Sequence, residues 1–489
     1  MLNKWKQTIS KFVCFVLTCQ LFILTTWAKP DWPSDTGIMA EAGIVMDMDS
    51  GAILYGQNIH LTYPPASITK ILTALIVLEN CNLQDTVTFS TTAVNQVEAD
   101  SGNKISVVAG DQLSVEDCLY SMLLVSCNQA ANALAEHTAG SISAFVNMMN
   151  EKLAQLGCQE SHFENPSGLN GDNQYVSAYD MALIAQAAYD NETLVEISSA
   201  TTHKIAPTTQ NPDGFTIRGE HRLCVTEDPS SPYYYPEAVA GKTGYLIKAG
   251  NTLVTYAVKD NRRLISVILK GQPRQYFVDG KALLEFGFRS FQDYTVADYE
   301  SRYVTGNETI NLDKGSFQAS DLMIDPDSVI TLPNSASFED ADITLGALPE
   351  ISPDNAVALL TYSYNDRTIG TAYLLAKDGV TIDGNDSASE AATTAFDTAN
   401  AEAPLATASN AEKPQRPHKH ISVAGVLITI LIVLLVLGVI GLISWFIYSK
   451  KKEAKALAKR RERRRQRLQR SGDEEEFERL LAEYKNKKK

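Results

Sequence analysis

The chain is poor in the residues that build metal centres and disulfide frameworks. Its 489 residues include only 7 Cys and 7 His, and no C-x-x-C pair or Cys/His ligand spacing occurs. Cys14 and Cys19 fall within residues 1–28, leaving Cys81, Cys118, Cys127, Cys158 and Cys224, an odd number. Neither a metal, nor a disulfide framework, nor any cofactor is expected. Basic residues are outnumbered, 43 Lys and Arg against 58 Asp and Glu for a net charge of −15, and many of them crowd the end of the chain. The acidic body that this leaves excludes a nucleic-acid role. No internal repeat is present.

Long apolar runs are confined to the two ends. Residues 1–28 carry Lys4, Lys6 and Lys11, then a mostly apolar stretch closing on Ala28, the pattern of a secretory signal. Residues 421–448 contain no formal charge, are long enough to cross a bilayer, and end in an aromatic cluster with Trp445, Phe446 and Tyr448. Residues 449–489 hold 17 Lys or Arg against 8 Asp or Glu, which marks that side as cytoplasmic. Residues 383–420, rich in Ala, Thr, Ser, Asn and Pro, read as a disordered stalk. The body between signal and stalk is therefore expected outside the membrane, and 44% hydrophobic content suffices for real cores.

Within that body three short motifs follow one another. Pro64 and Pro65 stop any earlier helix, and the apolar run from Ile71 starts a new one, so Ser67 and Lys70 share a face of its first turn. A serine hydroxyl is a poor nucleophile until a base removes its proton, and a lysine with a pKa of about 10.4 cannot do so near neutrality. Lys70 must therefore be desolvated or crowded by a second cation. The helix start adds backbone N–H donors suited to an oxyanion. Ser126-Cys127-Asn128 and Lys242-Thr243-Gly244 come next. The first of these interrupts the helical pattern of 113–139, which fits a loop reaching into a cleft. The second precedes two strand-like runs, 251–258 and 264–269, and places Lys242 on an edge strand.

Other segments organise the remainder. Residues 42–55 read as a hairpin around Asp49-Ser50-Gly51, 142–156 as a helix and 161–172 as a turn-rich loop. Ser177 caps a helix over 181–189, and 282–288 closes the last one. Residues 292–382 turn to short alternating segments, ending in an Asp378-Gly379 turn and a strand over 380–382, which predicts a small β domain.

Residues 36–290 resemble the D-alanyl-D-alanine carboxypeptidases, the low-molecular-mass penicillin-binding proteins of bacterial walls. The three motifs carry the resemblance, together with Pro64 to Lys70, His162-Phe163 to Gly168-Leu169, Ser177 to Asp180, and Ala249-Gly250-Asn251. The implied fold is α+β: an antiparallel sheet with helices on both faces and an all-helical subdomain, followed by the β domain, the linker and one transmembrane helix at 421–448. The implied catalytic residues are Ser67 as nucleophile, Lys70 as base and Ser126 as proton relay. Asn128, Lys242, Thr243, Gly244 and Tyr245 would bind substrate, with the N–H groups of Ser67 and Tyr245 as oxyanion hole. The substrate would be the peptidoglycan stem pentapeptide, β-lactams would inhibit, and the place would be a bacterial cell membrane with the catalytic domain outside.

Three departures stand out. Leu246 follows Tyr245 where the family has threonine, and Tyr276 falls where the family has a carboxylate-reading arginine, with Arg274 two places earlier: either a small gap gives Arg274 that role or Lys242 and Thr243 read the carboxylate alone. Cys127 fills a variable middle position and reads as packing. Two alternatives stay open at this point: a non-turnover membrane sensor of wall peptides or β-lactams, and a class A β-lactamase with Glu164 near its deacylating water.

Overall fold

The computed structural model describes residues 29–98, 101–349 and 351–382. The signal, stalk, membrane span and basic tail expected from the sequence lie outside the described residues. Among the described residues no helix is long and apolar enough to cross a membrane.

A five-stranded antiparallel sheet forms the centre, in the spatial order Ile53–Gln57, Ala42–Asp47, Arg262–Gly271, Gly250–Lys259, Ala238–Leu246. Successive side chains of a strand face opposite sides. In Ala42–Asp47 every position is buried, so this strand needs apolar cover on both faces. Val45 packs with Leu253, Leu264 and Ile268 beneath the helix Gln275–Ser290, which supplies Phe277, Leu283 and Phe286. Ile44 and Met46 face the other way, into a larger core with Met181 and Ile184 of Ala178–Tyr189. The hairpin over 42–55, the edge position of Lys242 and helices on both faces all match the sequence reading.

On that second side lies a helical layer of Lys70–Asn80, Val115–Leu124, Asn128–Ala139 and Ile142–Gln155. Ser114, Ser141 and Ser177 cap their helices by accepting from the backbone N–H of Asp117, Ala144 and Asp180. The helix expected over 181–189 consequently begins at Ala178, directly after its cap. Lys70–Asn80 is buried at every position from Lys70 to Val77. An apolar surface all round marks a helix inside the fold, and it carries Lys70 inside with it.

Beyond the helix Gln275–Ser290, Phe291–Thr295 pairs with Val329–Pro333, and a four-stranded sheet runs Leu322–Ile324, Arg367–Ala376, Ala356–Tyr364, Asp342–Gly346. These strands enclose a core of their own around Ile330, Leu332, Phe338, Tyr362 and Tyr364. The strand expected over 380–382 does not form. Val380 N–H closes a turn onto the Lys377 carbonyl, and Val380 and Ile382 pack against the core without pairing.

Candidate active site

Pro65 leads into a short 3-10 turn, Ala66–Thr69, that runs directly into Lys70–Asn80. Ala66 has φ +51° and Ser126 φ +62°, a region that side chains other than glycine's rarely occupy, so the backbone on both sides of the nucleophile is strained into place. Lys70 is 0% exposed. Its Nζ lies 3.0 Å from Ser67 Oγ and 2.8 Å from Asn128 Oδ1, and it also hydrogen-bonds the Ser167 carbonyl.

Burial and the neighbouring Lys242 cation set the amine's protonation, and these partners accommodate the neutral form. The Asn128 and Ser167 oxygens only accept, so they take two N–H groups. An uncharged amine has two, and its lone pair is then left for the Ser67 O–H. No carboxylate lies within ion-pairing distance of Lys70 or Lys242 among the described residues. Burial first, and then the Lys242 charge, hold Lys70 well below the usual lysine range. Lys242, 1% exposed, is itself brought down by burial to about 8. Its Nζ donates to the Thr243 carbonyl at 3.0 Å.

Two glycines permit the close approach. A Cβ on Gly244 would stand 2.8 Å from Ser67 N and 2.4 Å from Thr252 Oγ1, so only glycine lets the edge strand lie against the nucleophile. Thr252 Oγ1 donates to the Pro65 carbonyl at 2.9 Å and ties the sheet to the nucleophile turn. Gly168 has φ +80°, and its Cβ would fall 1.9 Å from the Ala66 carbonyl oxygen. Around it the loop of 161–172 is organised by Asn165 Oδ1, which accepts from Gly168 N at 2.8 Å and Leu169 N at 3.1 Å. Thr73 Oγ1 donates to Pro166 O at 2.7 Å, pinning the loop on the nucleophile helix.

The resulting cleft, about 710 Å³, is lined by Ser67, Ser126, Asn128, Thr243, Gly244 and Tyr245 among others. The structure thus brings together eight of the nine residues singled out from sequence, counting Lys70 and Lys242 just beneath the cleft floor. Ser126 faces the cleft without a hydrogen bond to Ser67 or Lys70. Arg274 is the exception, and the expectation for it is corrected. It is exposed at the start of Gln275–Ser290 with φ +63° and does not line the cleft, whereas Tyr276 does. Sequence reasoning missed Asn165 and Ser167, whose parts depend on loop geometry, and Arg222, Glu220 and Glu98, which line the cleft from stretches with no motif. Glu164 accepts from Asn173 N at 3.1 Å and is not in the cleft lining, which removes the lactamase-like carboxylate. Cys127 is buried, and burial pushes its thiol up to about 11.

Residues 29–272 match the peptidase family S11, described as D-alanyl-D-alanine carboxypeptidase. The D-alanyl-D-alanine carboxypeptidase DacB2 of Mycobacterium tuberculosis is 34% identical over 265 residues, 53% of this chain and 84% of that protein. DacA of Haemophilus influenzae, named for the same activity, is 31% identical over 354 residues, covering 69% and 84% respectively. The solved structure of penicillin binding protein 6B from Escherichia coli shares the fold, with a TM-score of 0.52 at 23% identity, covering 72% of this chain and 99% of that one. Motif order, the Ser67–Lys70 geometry and these relatives agree, and the chain belongs to the D-alanyl-D-alanine carboxypeptidase family.

Proposed function

We propose that the protein removes the terminal D-alanine from peptidoglycan stem pentapeptides through an acyl-enzyme on Ser67. The observation that carries this is the Lys70 side chain, buried without a carboxylate, bonded to Asn128 Oδ1 and the Ser167 carbonyl, with its nitrogen 3.0 Å from Ser67 Oγ. Lys70 takes the Ser67 proton as Oγ attacks the carbonyl between the two D-alanines. The N–H groups of Ser67 and Tyr245 stabilise the oxyanion. Ser126 passes the proton to the departing D-alanine nitrogen, and Asn128 holds the substrate amide. Lys242 keeps Lys70 uncharged and, with Thr243, draws the substrate carboxylate. Water then attacks the ester carbonyl, giving a proton to Lys70, which passes it to the departing Ser67 Oγ and so restores the neutral amine and the serine hydroxyl. A β-lactam enters the same acylation and stalls there.

The signal at 1–28, the span at 421–448 and the basic tail at 449–489 support a bacterial membrane enzyme whose catalytic domain, 36–290, faces the wall. Release of D-alanine from a peptide ending in D-Ala-D-Ala tests the reading. Many D-alanines per protein molecule are expected; a single equivalent followed by arrest is the behaviour of a sensor and contradicts it.

A further inference from the structure

Five charged side chains line the cleft, and their partners separate them: Glu98, Lys104, Glu220, Arg222 and Lys248. Glu98 Oε1 accepts from the backbone and side-chain nitrogens of Asn170, at 2.7 and 2.8 Å. Lys104 and Glu220 pair with each other at 3.4 Å. Arg222 and Lys248 make no ion pair among the described residues. Lys248 stands at the hairpin tip beside Ile247, which is 84% exposed, and nothing fixes its ammonium. Arg222 is held. Its chain neighbours His221 and Leu223 are buried, and its guanidinium lies over the Tyr233 ring at 5.0 Å. Its charge also acts on the phenol of Tyr276, which lines the same cleft.

Tyr276 stands where the resemblance puts a carboxylate-reading arginine, and Arg274 lies outside the cleft. A cation is therefore missing from the expected place and present, unpaired, beside it. We infer that Arg222 reads the terminal carboxylate of the substrate, a role that rests on the peptidase reading above. A guanidinium is a planar fork of N–H donors that matches a carboxylate bidentately, and a ring beneath it fixes its plane while leaving its edge free. Lys242 is a buried point charge with one N–H on the Thr243 carbonyl, and it lacks the planar fork that fixes a carboxylate bidentately. Arg222 thus separates a true peptide C-terminus from a chain that continues past the second D-alanine.

The test compares two synthetic peptides ending in D-Ala-D-Ala, one a free acid and one a C-terminal carboxamide, with the full-length protein. kcat/KM for release of the last residue is measured for the native protein, R222Q, R222K and R274Q, each checked for a cooperative melt. The native protein favours the acid. R222Q is expected to lose roughly 10- to 100-fold on the acid and little on the amide, so that the preference collapses. R222K, which keeps the charge without the fork, is expected to fall between, and it supplies the comparison if R222Q does not fold. R274Q is expected to keep the native preference. Equal losses on both peptides, no loss on either, or collapse of the preference in R274Q in place of R222Q overturns the assignment. A native protein that turns over neither peptide overturns the peptidase reading itself, before any variant is compared.

Discussion

Charge is buried in two regions of this molecule, and the two are provided for in opposite ways. At the cleft, Lys70 and Lys242 sit out of water with carbonyl and hydroxyl partners and no anion. Where the central sheet meets the strands of 291–333, Asp47 is buried as completely, but Arg262 Nη2 donates to it at 2.9 Å and Arg262 Nε donates to Asp293 at 2.8 Å. Thr331 Oγ1 donates to Asp293 Oδ1 at 2.9 Å, and Asp49 and Ser50 N–H groups cap Asp47 at 3.1 Å. Even so, burial and the nearby Asp293 push the Asp47 carboxyl up to about 7. The junction illustrates how many partners a buried charge needs merely to be tolerated. The cleft omits them, and what is lost in stability there appears as an amine that can act as a base.

The sharpest way to break this contrast is to remove one cation from each region. Lys70→Met is expected to slow acylation by labelled penicillin about 10²- to 10⁴-fold while leaving the melting temperature unchanged or higher, since methionine fills the site without a buried amine. Arg262→Met is expected to do the reverse. It strands Asp47 and Asp293 together and destabilises the fold by about 3–5 kcal/mol, read by urea unfolding, with acylation per folded molecule unchanged. Loss of stability in the first variant or of chemistry in the second would erase the distinction.

Titration sharpens it further. Lys242 must be charged and Lys70 uncharged, so kcat/KM is expected to fall on the alkaline side near pH 8, where Lys242 loses its proton. In Lys242→Arg that limb should vanish, because a guanidinium stays protonated. Stability follows the opposite sense. The folded Lys242, lowered from 10.5 to about 8, holds fewer protons than the unfolded chain between those values, so its contribution to stability grows as pH rises through that window. The smallest effect is expected at Cys127. Its thiol is buried and protonated, so Cys127→Ala should acylate at the native rate and thiol reagents should not inactivate the native protein.

Much of this site was legible because its chemistry is local in sequence. Ser67 and Lys70 share one helical turn, Asn128 opens a helix after a polar break, and Lys242 lies midway along the strand at the sheet edge. What the sequence could not disclose depends on backbone geometry. The Ser167 carbonyl reaches Lys70 only because Asn165 folds the loop and Gly168 lets it touch Ala66. Arg222 enters the cleft from a segment without periodicity, held by a ring eleven residues later. Arg274 failed for the converse reason: counting residues placed it near the cleft, and the turn before Gln275–Ser290 carries it out to solvent. The 380–382 segment has strand composition, but Val380 N–H turns back onto the Lys377 carbonyl and the segment packs on the core without a ladder.

The central claim is that Lys70 is an uncharged amine at neutral pH. Selective isotope labelling of the lysine side chains, with resonances assigned by Lys70→Met and followed by NMR as pH is varied, reads that charge directly. The Lys70 signal should report a neutral amine at pH 7 and titrate well below the ordinary lysine value of about 10.4. A Lys70 signal that stays protonated up to or beyond that value would contradict the account.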